Sequence, residues 1–323
     1  MPLSAAPAYL PDVLGPDFEQ LTLPQPDDYE GTVRSTLIRR RFTGPASDRA
    51  VLYIHGFTDY FFQRELARQW EKHGYRFYAL DLRKYGRSLL PHQRPNNVRD
   101  LTEYFADLDA ALARIGEEGA RTVVLNGHST GGLITALYAR SGSRRGQVSV
   151  LVLNSPFLEM NQPWLLRKVA MPVISRLGAL YPDLPIPARL PPGYGESLHQ
   201  SRHGEWDYNL TWKPIEVFAV NAGWLRAIRA GHRQVARGLG LPQPVLVLHS
   251  ARTVQRYHPF NDEYFSADGV LNAEHIRTLA PQLGSRVTVQ GIEGGMHDLV
   301  LSRPAVREKV YEAMFRWLAT VPG

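Results

Sequence analysis

The chain of 323 residues contains no cysteine. That excludes disulfide bonds, thiolate nucleophiles and cysteine-ligated metals. Long apolar runs are also missing, and no stretch approaches the ~20 residues that a membrane-spanning helix needs. The opening Met1-Pro2-Leu3-Ser4-Ala5-Ala6 lacks the basic start and apolar stretch of a secretory signal. A cytoplasmic location is expected on these grounds. Acidic side chains are in the minority, 31 against 37 Lys and Arg, which leaves a net charge of +6 and a pI near 9.5. A basic excess raises nucleic acid as a partner. Arginine is spread along the chain, however, and no zinc-finger or RNA-binding signature is present, so no nucleic-acid partner is expected. The densest basic cluster, Arg39-Arg40-Arg41, falls in a strand-like segment and reads as a solvated edge strand. There is no phosphate-cradling glycine loop and no dinucleotide fingerprint. His199 and His203 have a spacing seen in metal sites, but they lack a second ligand cluster, so no metal is expected.

What is present is an ordinary globular composition, with 44% hydrophobic and 21% charged residues. The length suits one large domain or two. Eight strand-like segments lie near 18–24, 33–42, 50–55, 76–81, 122–127, 148–154, 244–249 and 287–291. Several are nearly continuous apolar runs, such as Val148-Ser149-Val150-Leu151-Val152-Leu153, as expected of strands covered by helices on both faces. Helical patterns near 61–73, 100–116, 130–141, 273–282 and 303–319 separate most of them. In the last, Val306, Val310, Ala313, Met314 and Trp317 form a core-facing stripe. This alternation predicts a doubly wound, mostly parallel α/β sheet. It breaks between 157 and 235, a stretch rich in proline (including Pro163, Pro187, Pro191 and Pro214) that holds four of the six tryptophans: Trp164, Trp206, Trp212 and Trp224. That stretch reads as a cap inserted after the sixth strand, dividing the core into residues 1–156 and 236–323. No internal repeat or low-complexity linker is present.

The most informative motif is Gly127-His128-Ser129-Thr130-Gly131-Gly132, between the apolar run 122–126 and the helical pattern 130–141. A Gly-x-Ser-x-Gly turn between a buried strand and a helix pushes the serine out at the top of a sheet, with a helix N-terminus behind it. A side chain at Gly127 or Gly131 would crowd that turn. Ser129 is therefore the candidate nucleophile. His128, inside the turn, reads as a packing residue pointing away from it.

With this motif in place, the sequence resembles the α/β-hydrolase superfamily. It most resembles the branch of bacterial monoacylglycerol lipases, lysophospholipases and serine-aminopeptidase-like hydrolases. The residues that carry the resemblance are His55-Gly56-Phe57, Asp81-Leu82-Arg83-Lys84-Tyr85-Gly86-Arg87-Ser88, the Gly127–Gly132 turn, Asp268-Gly269-Val270-Leu271 and Gly294-Gly295-Met296-His297-Asp298-Leu299. The resemblance covers most of the chain, the cap being its least specific part. It implies an α/β-hydrolase fold with an eight-stranded sheet, a Ser–Asp–His triad and no cofactor.

A serine nucleophile needs a base that takes its proton and returns it to the leaving group, and histidine suits that role. Of the eleven histidines, His297 follows the last strand-like segment and satisfies the order serine, acid, histidine. Asp268 is the favoured acid from its Asp-x-Val-Leu context. The long loop 251–267 leaves Asp262 as a rival, with Glu159 behind it. For the oxyanion, the backbone N–H groups of Thr130 and Phe57 are the expected donors. The resemblance implies that His55 braces the loop carrying Phe57.

Three functions follow for test. The leading one is hydrolysis of a small-molecule carboxylic ester, lipid-like because the cap is apolar and tryptophan-rich. A second is an aminopeptidase, whose substrate ammonium needs cap carboxylates such as Glu159, Glu196, Glu205 or Asp207. A third is a non-catalytic ligand receptor on the same fold. Arg226, Arg229, Arg233 and Arg237 share one side of a helical segment. They read as a solvated face, with transient docking to an anionic lipid surface as the sharper alternative.

Overall fold

The computed structural model describes residues 8–42, 47–162, 171–186 and 191–321. Pro163, Trp164 and Pro187 of the proline- and tryptophan-rich stretch lie outside these.

The core strands are β1 (Leu10–Asp12), β2 (Gly15–Asp28), β3 (Gly31–Arg40), β4 (Arg49–Ile54), β5 (Arg76–Asp81), β6 (Thr122–His128), β7 (Val148–Asn154), β10 (Val245–Ser250) and β11 (Val287–Ile292). They form one sheet in the order β1-β2-β3-β5-β4-β6-β7-β10-β11. The pairs from β5 to β11 are parallel, and those among β1, β2, β3 and β5 are antiparallel. The short β1 is the one strand of this sheet that the apolar pattern does not mark. Its Leu10 is exposed, so it has no run to betray it.

Side chains on a strand alternate between faces, and here both faces are dry. On β4, Leu52 and Ile54 join a cluster with Leu125, Leu133, Leu151 and Val247. Its other face sends Val51 and Tyr53 into a second cluster with Val124, Val152, Leu246 and Leu248. Helices α2 (Glu103–Glu117) and α3 (Thr130–Ser141) cover the first face. Helices α1 (Arg64–Lys72) and α8 (Pro304–Leu318) cover the second. On α8 the buried set includes Val310, Ala313 and Met314, while Val306 and Trp317 pack at its edge.

Between β7 and β10 the chain leaves the sheet. It forms α4 (Met171–Leu180), α5 (Gly193–Leu198), α6 (Ala222–Ala236) and a two-stranded ribbon of β8 (Pro185–Ile186) with β9 (Val220–Asn221). Trp224, Leu225, Ile228 and Val235 of α6 belong to the first core cluster. A side chain at Gly231 would press on Leu101, Leu133 and Leu137. The end of this stretch therefore packs as a crossover helix of the sheet. After β10 comes α7 (Ala273–Leu279), which leads to β11.

The reading of Arg39-Arg40-Arg41 as a solvated edge needs correction. β3 lies inside the sheet, between β2 and β5. Arg39 pairs with Glu19 at 2.8 Å and Glu118 at 3.0 Å, Arg40 with Asp17 and Glu71, and Arg41 with Glu19. The antiparallel β2, built by the N-terminal residues, supplies partners that the local sequence does not reveal.

Candidate active site

All the loops that matter leave the carboxyl ends of the parallel strands, where open α/β sheets place their crevices. β6 ends at His128 and α3 begins at Thr130, so Ser129 alone makes the turn. Its φ of 51° and ψ of −117° lie outside the regions comfortable for an L-residue. The surroundings over-determine it: Ser129 N–H donates to Asn154 O (3.0 Å), while its carbonyl accepts from Phe157 N–H (2.9 Å) and Gly132 N–H (2.9 Å). The two turn glycines have no room for a side chain. A Cβ at Gly127 would stand 2.7 Å from Gly131 O, and one at Gly131 would stand 2.4 Å from the carbonyl oxygens of Ile54 and His55.

Ser129 Oγ lies 3.0 Å from His297 Nε2, and His297 Nδ1 lies 2.9 Å from Asp268 Oδ2. All three residues are buried, Ser129 least so at 7% exposure, on the cavity side. A carboxylate only accepts, so the ring proton sits on Nδ1 and leaves Nε2 free to accept from the serine hydroxyl. The second carboxylate oxygen of Asp268 accepts the backbone N–H groups of Val270 (2.8 Å) and Leu271 (2.7 Å).

The long loop after β10 explains how a distant aspartate reaches this place. Asp268 N–H donates to Arg252 O (2.8 Å), and Val254 N–H donates to Asp268 O (2.9 Å). The chain thus returns to where it left the sheet. The intervening residues close on themselves around Val254, Tyr264 and Ala267. Asp262 is exposed on this excursion, at the start of a short 3-10 turn. Glu159 stands 3.9 Å from His232, and neither residue lines the cavity of Ser129.

Thr130 is the first residue of α3, so its N–H has no acceptor within the helix. Phe57 and Gly56 line the same cavity as Ser129. A Cβ on Gly56 would fall 3.2 Å from both Ser129 Cβ and His128 Cδ2, which shows how closely this loop approaches the serine. His55 holds the loop from beneath. Its Nδ1–H donates to Gly56 O (2.8 Å), and its Nε2 accepts Leu82 N–H (3.1 Å). With both nitrogens engaged, it is a brace.

His128 departs from its expected orientation. Its ring lines the cavity, 4.9 Å from the His297 ring, rather than turning away. Nδ1–H donates to Asn154 O (3.2 Å). Burial outweighs the nearby Asp298 carboxylate and holds its pKa below the usual histidine value. His199 is fully engaged as well, with Ser201 Oγ at 2.8 Å and Tyr208 O at 3.2 Å, and His203 stacks on Phe260. Among the described residues no group of three or more His, Asp or Glu is arranged to hold a metal. On α6, Arg226 and Arg233 are exposed and Arg229 half-buried, and Arg237, just past its end, is exposed. No described helix is long and apolar enough to cross a membrane.

Several contacts of the site are invisible to sequence patterns. Asp298 is buried beside His297 and accepts from Asn154 Nδ2 (2.6 Å) and Gln63 Nε2 (3.2 Å), tying the histidine loop to β7 and to the loop after β4. Tyr194 of α5 accepts Asp298 N–H (3.2 Å) and packs edge-on against the His297 ring. Asp59 and Lys213 form an ion pair of 2.8 Å inside the cavity. The partners come from segments far apart in the chain, so no spacing rule could have joined them. The cavity measures about 60 Å³, and its other walls include Leu198, Ile215, Val217 and Val270.

Solved structures share this architecture. A soluble variant of monoglyceride lipase from Saccharomyces cerevisiae, in complex with a substrate analog, superposes with a TM-score of 0.69 at 17% identity, covering 93% of this chain and 95% of its own. Monoacylglycerol lipase of Paleococcus ferrophilus gives 0.62 at 19% identity over 84% and 94%. A thermophilic esterase from Thermogutta terrifontis gives 0.57 at 18% identity over 93% and 98%. At these identities the likeness establishes the α/β-hydrolase fold. No curated protein matches the sequence. The family model described as serine aminopeptidase, S33, matches residues 45–256, a span that includes Ser129 and most of the core strands. The chain therefore belongs to the serine aminopeptidase S33 family, on an α/β-hydrolase fold.

Proposed function

We propose that this protein is a serine hydrolase that cleaves carboxylic esters through an acyl-enzyme. The observation that carries the reading is the relay from Ser129 through His297 to Asp268, buried against a mostly apolar cavity. His297 takes the Ser129 proton as the hydroxyl attacks the ester carbonyl. The tetrahedral oxyanion is met by the N–H groups of Thr130 and Phe57. The imidazolium, steadied by Asp268, then protonates the leaving alcohol. Water repeats the sequence to release the acid.

The substrate we favour is lipid-like, a monoacylglycerol or lysophospholipid. Two of the neighbouring structures are lipases named for monoglycerides or monoacylglycerols. The described part of residues 157–235 that precedes α6 serves as the cap over the acyl group, α6 itself being packed on the core. On α4 and the turn after it, Val173, Leu177, Leu180 and Tyr181 expose apolar side chains suited to transient contact with a lipid surface. The family's description keeps an aminopeptidase as the second reading. Against it, the one carboxylate among the described cavity residues besides the relay is Asp59, and Lys213 already occupies it. Glu205 and Asp207 are exposed outside the cavity.

The test combines a fluorophosphonate with two substrate sets. Ser129 should carry the adduct by mass spectrometry. p-Nitrophenyl acyl esters should turn over well ahead of amino-acyl arylamides. Ser129→Ala should lose on the order of 10³-fold or more in kcat with its fold intact. An adduct on another residue removes the assignment, and a preference for arylamides selects the aminopeptidase.

A further inference from the structure

The Asp59–Lys213 pair has no place in the relay, yet it stands in the same cavity as Ser129 and His297. Asp59 is 1% exposed and Lys213 8%. Two charges in a dry site lose hydration that their mutual attraction restores only in part, so such a pair is weak as a stabilising device. The pair is also built with care. Asp59 follows the loop that carries Phe57, and the next residue, Tyr60, accepts Asn209 N–H at 2.7 Å. Asn209 in turn accepts Lys213 N–H (2.9 Å), so the turn bearing Lys213 is latched to the loop bearing Asp59. Burial pushes the Asp59 carboxyl up, but Lys213, His128 and His55 outweigh it and hold it below its usual value. An ammonium has three donors. Among the described residues, Asp59 Oδ1 is the single hydrogen-bond acceptor for Lys213 Nζ.

We propose that Asp59 and Lys213 form a specificity site for a neutral, hydroxyl-bearing part of the ester. This rests on the ester-hydrolase reading above. A hydroxyl accepts a hydrogen bond from a spare Nζ donor and donates its own O–H hydrogen bond to the carboxylate without parting the pair. A charged group must compete for one partner and strand the other as a lone charge in a dry cavity. A plain alkyl group covers Nζ and the carboxylate and offers them no hydrogen bond, and sites built to hydrogen-bond a substrate hydroxyl reject analogues that lack it.

Four octanoate substrates and two charged ones test this. Glyceryl and propyl octanoate place or omit hydroxyls on the alcohol half. Methyl 3-hydroxyoctanoate and methyl octanoate do so on the acyl half. Choline octanoate and monomethyl suberate carry a cation and a carboxylate. The wild-type protein should prefer the hydroxylated member of one pair by roughly tenfold or more in kcat/KM. It should disfavour both charged esters. In Asp59→Asn/Lys213→Met that ratio should fall toward one. If this variant does not fold, Asp59→Ala/Lys213→Met replaces it, since it removes the charges together with every hydrogen-bonding atom of the pair. A ratio near one for both pairs in the wild type overturns the proposal and leaves the ester reading standing. So does a ratio that survives in the double variant, or a preference for a charged ester. If Ser129 reacts with a fluorophosphonate but no ester turns over, the ester reading fails and this site falls with it.

Discussion

Asp268 holds two different partners, one on each carboxylate oxygen: the His297 ring and the backbone N–H groups of Val270 and Leu271. Asp268→Asn can satisfy only one side. With its NH2 toward the ring it forces the wrong imidazole tautomer, and with its NH2 toward the backbone it sets donor against donor. We expect a loss in kcat approaching the ~10⁴-fold seen for such a change in a serine protease. A stability loss on the order of 1 kcal/mol should accompany it. Asp262→Asn, exposed on the excursion, should be near neutral in steady-state kinetics on folded protein. Reversal of that order reassigns the acid. Gly56→Ala is a finer probe. Its Cβ would press on Ser129 and His128 at 3.2 Å, so the loop carrying Phe57 must shift by a few tenths of an ångström. A drop in kcat of roughly tenfold with little change in melting temperature is expected. A large fall in stability with normal turnover of the folded fraction would argue against Phe57 as an oxyanion donor.

Among the elements, α6 carries a titration that bears on stability. His232 is buried and hydrogen-bonded to Phe157 O at 2.9 Å, and burial outweighs Glu159 and pushes its pKa down to about 4. The unfolded histidine takes up its proton near pH 6.5. Between these values the unfolded chain binds the extra proton, so stability falls as the pH drops from about 6.5 toward 4, by up to roughly 3 kcal/mol. His128 and His249, also lowered by burial, act in the same direction. Urea unfolding at a series of pH values should show this slope, and His232→Gln should make it shallower. An unchanged slope in the variant would place the titration elsewhere. The excursion after β10 teaches a different lesson about elements. Its length carries the chain away from the sheet, but the pairing of Asp268 with Arg252 and Val254 brings this proposed acid back to the end of the strand.

For the whole molecule, the proposed lipid-like substrate makes a quantitative claim. If the cap covers an acyl group, each added methylene from acetyl to octanoyl should raise kcat/KM, by up to about fourfold (~0.8 kcal/mol), until the cavity is full. A flat or falling series would exclude an acyl-binding cap. The fold itself was legible where local physics decides it. The runs in β4, β6, β7 and β10 are apolar because both faces of each are covered. Less legible were features that depend on a neighbour. β1 pairs through its backbone without an apolar run, and Arg39 finds its carboxylates on β2 and beyond the end of α2.

The sequence by itself determined the strained serine turn, because only glycine fits where Gly127 and Gly131 meet backbone carbonyls. It also determined the parallel core, through the period of its apolar residues. Ser129, Asp268 and His297 were named from motifs that each fit within a few residues. The tertiary structure decided the rest. It turned His128 into the cavity, placed β3 inside the sheet and joined Asp59 to Lys213 in the cavity. The physical reason is range. Steric limits and burial periodicity act over a few residues and leave a trace in the chain. Charge pairing and cavity shape arise between segments that only the fold brings together.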